Sequence, residues 1–380
     1  MNQVNNMNLE QTNNIIALGQ KLVGLGIEAK FSHVEEGPVV TVYYFKLDSG
    51  ESVARVIKRA EDFALAMEQD KVMVQRVGGL IAVFVPNAEK KIVDFKDYLY
   101  WYLNDPKVKA QALPIPLGVD YRGNKSTFDL VDMPHCLITG STNSGKSVLE
   151  AAILSALSLH RASNELNFYL CDTKMVDLPL FKDFPHVKVV ADNVQAFHNM
   201  MTWIMQETRR RLAVLQGASC RKIQDYHNMY SGDISMMPYI IVMIDEFGDL
   251  MDLDSAIRKG GDTLDEVPTV KQWIKSASQI CRAAGVHLIC CTQRASVKVV
   301  DGDIKANLPC RISLRLPTQT DSRTILGIGG AENLLGNGDM LIARPGKDAL
   351  ERFHGPFVSM NDIAALISQY DMMKTMFAPK

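Results

Sequence analysis

Residues 140–147 read Gly-Ser-Thr-Asn-Ser-Gly-Lys-Ser, a G-x-x-x-x-G-K-S run that few folds accommodate. The spacing has a mechanism. The glycines allow backbone N–H groups to turn inward around phosphates. Lys146 reaches the β- and γ-phosphates, and the Ser147 hydroxyl ligates Mg²⁺. The flanks supply the context that such a loop needs. Cys136-Leu137-Ile138 suits a buried strand, and Val148 to Leu159 lacks both Pro and Gly and predicts a buried helix. The positive end of that helix would face the phosphates. Gly140, Ser141, Thr142, Asn143, Ser144, Gly145, Lys146, Ser147 and Val148 are therefore the expected ATP-binding residues.

A second run completes the chemistry. Tyr239-Ile240-Ile241-Val242-Met243-Ile244 is wholly apolar and delivers Asp245 and Glu246 at its end. In parallel sheets ligands sit at the carboxyl ends of strands. Asp245 is expected to hold Mg²⁺ with Ser147, and Glu246 to orient and deprotonate the attacking water. Cys290-Cys291-Thr292-Gln293-Arg294 ends another strand, where Gln293 is placed to sense the γ-phosphate. Arg294, Arg311, Arg315 and Arg323 are candidates for a finger supplied to a neighbouring subunit's nucleotide. Lys298, in the glycine-containing stretch that follows, and the pair Arg221 and Lys222 are candidate contacts to a phosphate backbone. Taken singly, each basic residue also suits a solvated surface or an ordinary salt bridge.

The pattern around these motifs predicts an α/β chain: a P-loop core with a parallel sheet, preceded by a small α+β domain. Residues 1–14 are polar and expected to be flexible. Residues 15–105 carry a helix from Ile15, a strand over Val39–Leu47, helical spacing over 53–67 and a hairpin at Gly78-Gly79. The prolines at 106, 114 and 116 mark a linker over 106–117. From 118 to 380 strands and helices alternate, the signature of crossover connections. The polar stretch 252–270 breaks that rhythm and reads as an exposed insertion.

Bulk properties narrow the function classes. The net charge of −2 excludes a protein coated with basic residues, but not a local basic channel. The seven cysteines include no C-x-x-C pair, so reduced core thiols in a cytoplasmic protein are expected rather than a metal or disulfide framework. No secretory leader is visible at the N-terminus, and no apolar run approaches the ~20 residues of a membrane span.

Further runs resemble the FtsK/SpoIIIE family of DNA translocases. Gly37-Pro38-Val39-Val40-Thr41, Met133-Pro134-His135, Asp172-Thr173-Lys174 and Asp245-Glu246-Phe247-Gly248-Asp249-Leu250 are similar to family motifs. So are residues 282–288, Thr292-Gln293-Arg294, Ile304-Lys305-Ala306-Asn307, residues 321–326 and residues 329–341. The resemblance implies a hexameric ring of RecA-like motors, with ATP between subunits and duplex DNA in the channel. It implies that residues 1–105 correspond to the α subdomain. Asn143 stands where the family has a loop glycine, and Ala295 where proline often follows Thr-Gln-Arg. A membrane region and a C-terminal winged-helix domain are not found, which suggests a mobile-element or phage homologue or an excised motor. Alternatives are an ATPase for type VII-like protein secretion, a plasmid or phage DNA-transfer ATPase, and a nucleotide-gated structural ring.

Overall fold

The computed structural model describes residues 7–260, 266–347 and 349–377. Four strands form an antiparallel sheet in the N-terminal domain: β1 (Ala29–Glu36), β2 (Val40–Leu47), β3 (Met73–Val77) and β4 (Leu80–Pro86), in the order β1-β2-β4-β3. Alternation assigns its two faces. Tyr43, Phe45, Val74, Ile81 and Val83 pack on the helices through Leu18, Leu22, Val56 and Phe63. Val42, Tyr44, Met73, Ala82 and Phe84 belong instead to the core of the following domain. The small sheet is thus buried on both sides, and the seam is close. A Cβ on Gly37 would lie 1.7 Å from the Tyr121 carbonyl oxygen, so only glycine fits there. Tyr44 and Tyr121 share a hydroxyl–hydroxyl hydrogen bond of 3.2 Å, and the Arg122 guanidinium donates to Glu35 at 2.9 Å.

Ten strands build the second sheet: β5 (Pro114–Asp120), β6 (Lys125–Asp129), β7 (His135–Thr139), β8 (Leu166–Cys171), β9 (Val187–Ala191), β10 (Tyr239–Ile244), β11 (Val286–Thr292), β12 (Cys310–Leu314), β13 (Asp339–Ala343) and β14 (Glu351–His354). Their order is β6-β5-β14-β13-β12-β7-β11-β10-β8-β9. The run β12-β7-β11-β10-β8-β9 is parallel, as the alternating pattern predicts. β13, β14, β5 and β6 extend it antiparallel. β10 explains its own apolar run: Ile240, Val242 and Ile244 face one core cluster and Tyr239, Ile241 and Met243 the other.

Three expectations about boundaries need correction. The first helix spans Leu9–Gly24, so flexibility does not extend to residue 14; Asn8 and Gln11 form a capping box that starts it early. The linker over 106–117 is instead a short helix, Pro106–Lys109, followed by the start of β5. β14 meets β5 only at Val119 and Asp120, which leaves Pro114 and Pro116 on an edge that tolerates proline. The insertion over 252–270 is helical in its first part: Phe247–Lys259 extends into it, and Val270–Ile280 begins at its end. Its described residues are exposed or half-buried, as their polarity predicts, apart from Val270 and Asp254. Asp254 is buried, and accepts from His198 Nε2 at 3.0 Å, Arg258 Nε at 3.0 Å and the Val270 N–H at 3.1 Å. Residues 261–265 lie outside the described residues.

Buried histidines make stability depend on pH. His135 and His287 sit side by side at the strand starts; burial pulls His135 down to about 3 and His287 to about 4. Unfolded histidine titrates near ~6.5. Between that value and the folded ones the unfolded chain binds more protons, so stability is complete above ~6.5 and lost as pH falls. At pH 5 each is expected to have lost about 2 kcal/mol. Thermal melts from pH 7.5 to 5 should show a falling midpoint, with a smaller fall in His287→Asn. A flat profile would contradict the assignment.

Six of the seven thiols are buried, and Cys220 is half-buried. Burial pushes Cys136, Cys171, Cys281, Cys290 and Cys291 up.

Candidate nucleotide site

β7 ends at Thr139 and the chain turns through the glycine loop into the helix Lys146–His160. Two residues of the loop take left-handed backbone, Asn143 at φ +62° and Gly145 at φ +100°. Glycine is required at 145 for a second reason: a Cβ there would lie 2.5 Å from the Gly338 nitrogen. Gly338 N–H donates to the Ser144 carbonyl at 2.9 Å, so a Gly336-Asn337-Gly338 turn supports the loop from outside the motif. Asp339 anchors that turn by accepting from Leu335 N–H at 2.8 Å and from Arg352 at 2.9 and 2.7 Å. Arg352 in turn lies 5.4 Å over the Phe84 ring of the small domain.

Lys146 is buried at the head of the helix. Its ammonium donates to Glu150 Oε1 at 2.9 Å, to the Asp245 carboxylate, and to the Asp245 carbonyl at 3.1 Å. Burial opposes its charge, but the Glu150 and Asp245 carboxylates outweigh that and hold it above the ordinary lysine range. Ser147 Oγ donates to Asp177 at 2.6 Å. Glu246 follows Asp245 at the end of β10. It accepts from the Thr292 hydroxyl and from the Gln293 N–H at 2.6 Å. Burial raises its carboxyl above the usual range despite those two donors. Gln293 also faces the loop, accepting from Thr142 Oγ1 at 3.2 Å. The structure therefore brings Lys146, Ser147, Asp245, Glu246 and Gln293 together at the carboxyl ends of β7, β10 and β11.

Two carboxylates at this site were not anticipated. Glu150, Asp177 and Asp245 each bring an oxygen within 4.8 Å of the others. With the Ser147 hydroxyl they form an all-oxygen donor set, which fits Mg²⁺. Glu150 is spaced i+4 from Lys146 on one helix face, a signal present in the sequence. Asp177 had none, because a loop after β8 carries it there.

The basic candidates separate. Arg294 is paired with Asp252 and Asp249, and Lys298 with Asp252 at 3.1 Å, beside the site. Arg311 donates to the Ile325 carbonyl at 2.9 Å, and Arg315 lies against Gly336. Arg323 is exposed on the helix Gln319–Leu326. Arg221 and Lys222 are exposed just before Ile223, whose side chain meets Gly285 at the start of β11. That is the opposite end of the parallel strands from the glycine loop.

With this geometry in view, comparison with known proteins is decisive. Residues 104–297 match the model of the FtsK/SpoIIIE family, and residues 1–87 match that of the FtsK alpha domain. The chain belongs to the FtsK/SpoIIIE family. By family and fold it is a P-loop ATPase. DNA translocase SpoIIIE of Bacillus subtilis (strain 168) is 36% identical over 355 residues, 90% of this chain and 43% of that protein. DNA translocase FtsK of Lactococcus lactis subsp. cremoris (strain MG1363) is 34% identical over 366 residues, 93% of this chain and 46% of that protein. The chain thus spans less than half the length of these FtsK/SpoIIIE relatives. Among solved structures, the pCW3 conjugation coupling protein TcpA, in monomer form with ATPγS, aligns with a TM-score of 0.63 at 19% identity, over 96% of this chain and 100% of that one. The cytoplasmic domain of the Thermomonospora curvata type VII secretion ATPase EccC aligns at 0.59 and 22% identity, over 74% of this chain and 34% of that one. Both likenesses establish the fold. Among the described residues, no helix is long and apolar enough to cross a membrane.

Proposed function

We propose that this chain is the motor of a cytoplasmic, ATP-driven translocase of double-stranded DNA, acting as a hexameric ring with nucleotide at the subunit boundaries. One observation carries the reading: the glycine loop, Asp245-Glu246 and Gln293 meet at one point, so phosphate binding, water activation and γ-phosphate sensing share a site. Lys146 binds the β- and γ-phosphates after giving up its contacts with Asp245. Ser147 and Asp245 would hold Mg²⁺, which when bound would supply charge neutralisation on the phosphate oxygens. Glu246 accepts the proton of the attacking water, and its raised affinity for protons suits that work. Gln293 bridges the loop and Glu246, so loss of the γ-phosphate reaches β11 and the Arg294–Lys298 segment directly. Arg323, exposed and outside the cluster, is the finger offered to a neighbouring subunit. Lys298, Arg221 and Lys222 contact the DNA phosphates without reading bases.

The test combines turnover with imaging. Duplex DNA at low salt is expected to stimulate ATP hydrolysis several-fold, and the stimulation should fall log-linearly with added salt. Electron micrographs with ATPγS and a long duplex should show rings encircling it. Turnover indifferent to duplex DNA at low salt removes the DNA role, and a chain that stays monomeric with both ligands removes the ring.

A further inference from the structure

Lys146 has three ammonium protons, and in this structure all three are committed: one to Glu150, two to Asp245. Phosphate must displace at least one of those acceptors. The two are not equivalent. Asp245 ends a strand and has a second task in holding the cation, so it is free to turn away when nucleotide and metal arrive together. Glu150 belongs to the same oxygen donor set, but its place on the helix keeps it beside the lysine whichever way Asp245 turns. It lies one helical turn from Lys146 on the same helix, is 1% exposed, and its other oxygen, Oε2, has no hydrogen-bond partner. A carboxylate placed there stays within reach of the ammonium.

We infer that Glu150 is a positioning residue that competes with the phosphates for Lys146, weakening nucleotide binding and speeding product release. The chemistry is electrostatic. Glu150 Oε1, 2.9 Å from the ammonium, is an acceptor that competes with phosphate for it; burial pushes the Glu150 carboxyl up to about 8 although Lys146 pulls it down, so the competition is strongest where that carboxyl is ionised. It also orients Lys146 along the helix axis rather than across the loop. An ATPase that cycles needs ADP to leave, and a lysine shared with such an acceptor grips ADP less firmly than an unshared one.

This inference rests on Lys146 being the phosphate-binding lysine, and the test separates the two. Equilibrium and stopped-flow fluorescence with mant-ADP and mant-ATPγS are compared in the full chain, Glu150→Leu and Glu150→Gln. Leucine removes both charge and acceptor; glutamine removes the charge and keeps the shape. Both are expected to bind nucleotide more tightly, about tenfold for Glu150→Leu and less for Glu150→Gln, with ADP release slowed in proportion. A merely structural Glu150 predicts the opposite sign, with weaker binding and a lowered melting point. In a Lys146→Ala background the same substitution should leave affinity unchanged. If Glu150→Leu does not fold, Glu150→Gln decides alone. Unchanged or weaker binding in variants that melt like the parent overturns the inference. If Lys146→Ala itself binds nucleotide normally, the fault lies in the lysine's assignment instead.

Discussion

Replacing Lys146 by alanine is expected to lower ATP turnover by about a hundredfold or more and to weaken nucleotide binding with it. The magnitude follows from where the ammonium sits. It is a buried cation at the head of the helix Lys146–His160, and it is the positive side chain in direct contact with Asp245. Without it, Glu150 and Asp245 face one another across the same space with no counter-charge. The variant should therefore also melt lower, so turnover must be measured well below its transition, with folding checked by circular dichroism. Parent-like turnover in a folded Lys146→Ala chain would remove the glycine loop from the chemistry.

Glu246→Gln should separate binding from hydrolysis. The amide keeps the side chain's length and one acceptor for the Gln293 N–H, so the local hydrogen bonds survive in altered form. It cannot take a proton from water. Hydrolysis is expected to fall by about 10²–10⁴-fold, the usual contribution of a general base, while ATP affinity changes little. Rapid-quench measurement of hydrolysis beside fluorescence measurement of binding reads both quantities. Equal losses in both would mean that Glu246 acts only in holding β10 and β11 together. Retained hydrolysis would place the base elsewhere, with Asp177, which accepts from Ser147, the first to test.

Much of this site was legible because its parts are local. A glycine loop between an apolar strand and an uninterrupted helix, and two acids ending an apolar strand, need no tertiary information beyond the strand order of a parallel sheet. What escaped depends on distant pairing. β1 reads Ala-Lys-Phe-Ser-His-Val-Glu-Glu, an edge strand with little apolar content, and it forms because β2 lies beside it. The prolines of β5 imitate a linker. Asp254 reads as one more surface acid, since only the fold brings His198 and Val270 to it. Asp177 reaches Ser147 from a loop 30 residues on, and Asp339 supports the glycine loop from almost 200 residues away. For Lys298 and Arg294 the salt-bridge reading gains its partners only when Asp249 and Asp252 are placed against them.

The distribution of sulfur has a practical side. Cys220 is the one thiol not shut inside the core, and its neighbours in sequence are Arg221 and Lys222. A maleimide fluorophore added to the native polypeptide therefore has a single accessible attachment point, with no engineered cysteine-free background required. That point adjoins one of the two surfaces assigned to the duplex and lies at the far end of the sheet from the nucleotide. Dye and ATP do not compete for space, so a labelled preparation can be read against the duplex with nucleotide bound.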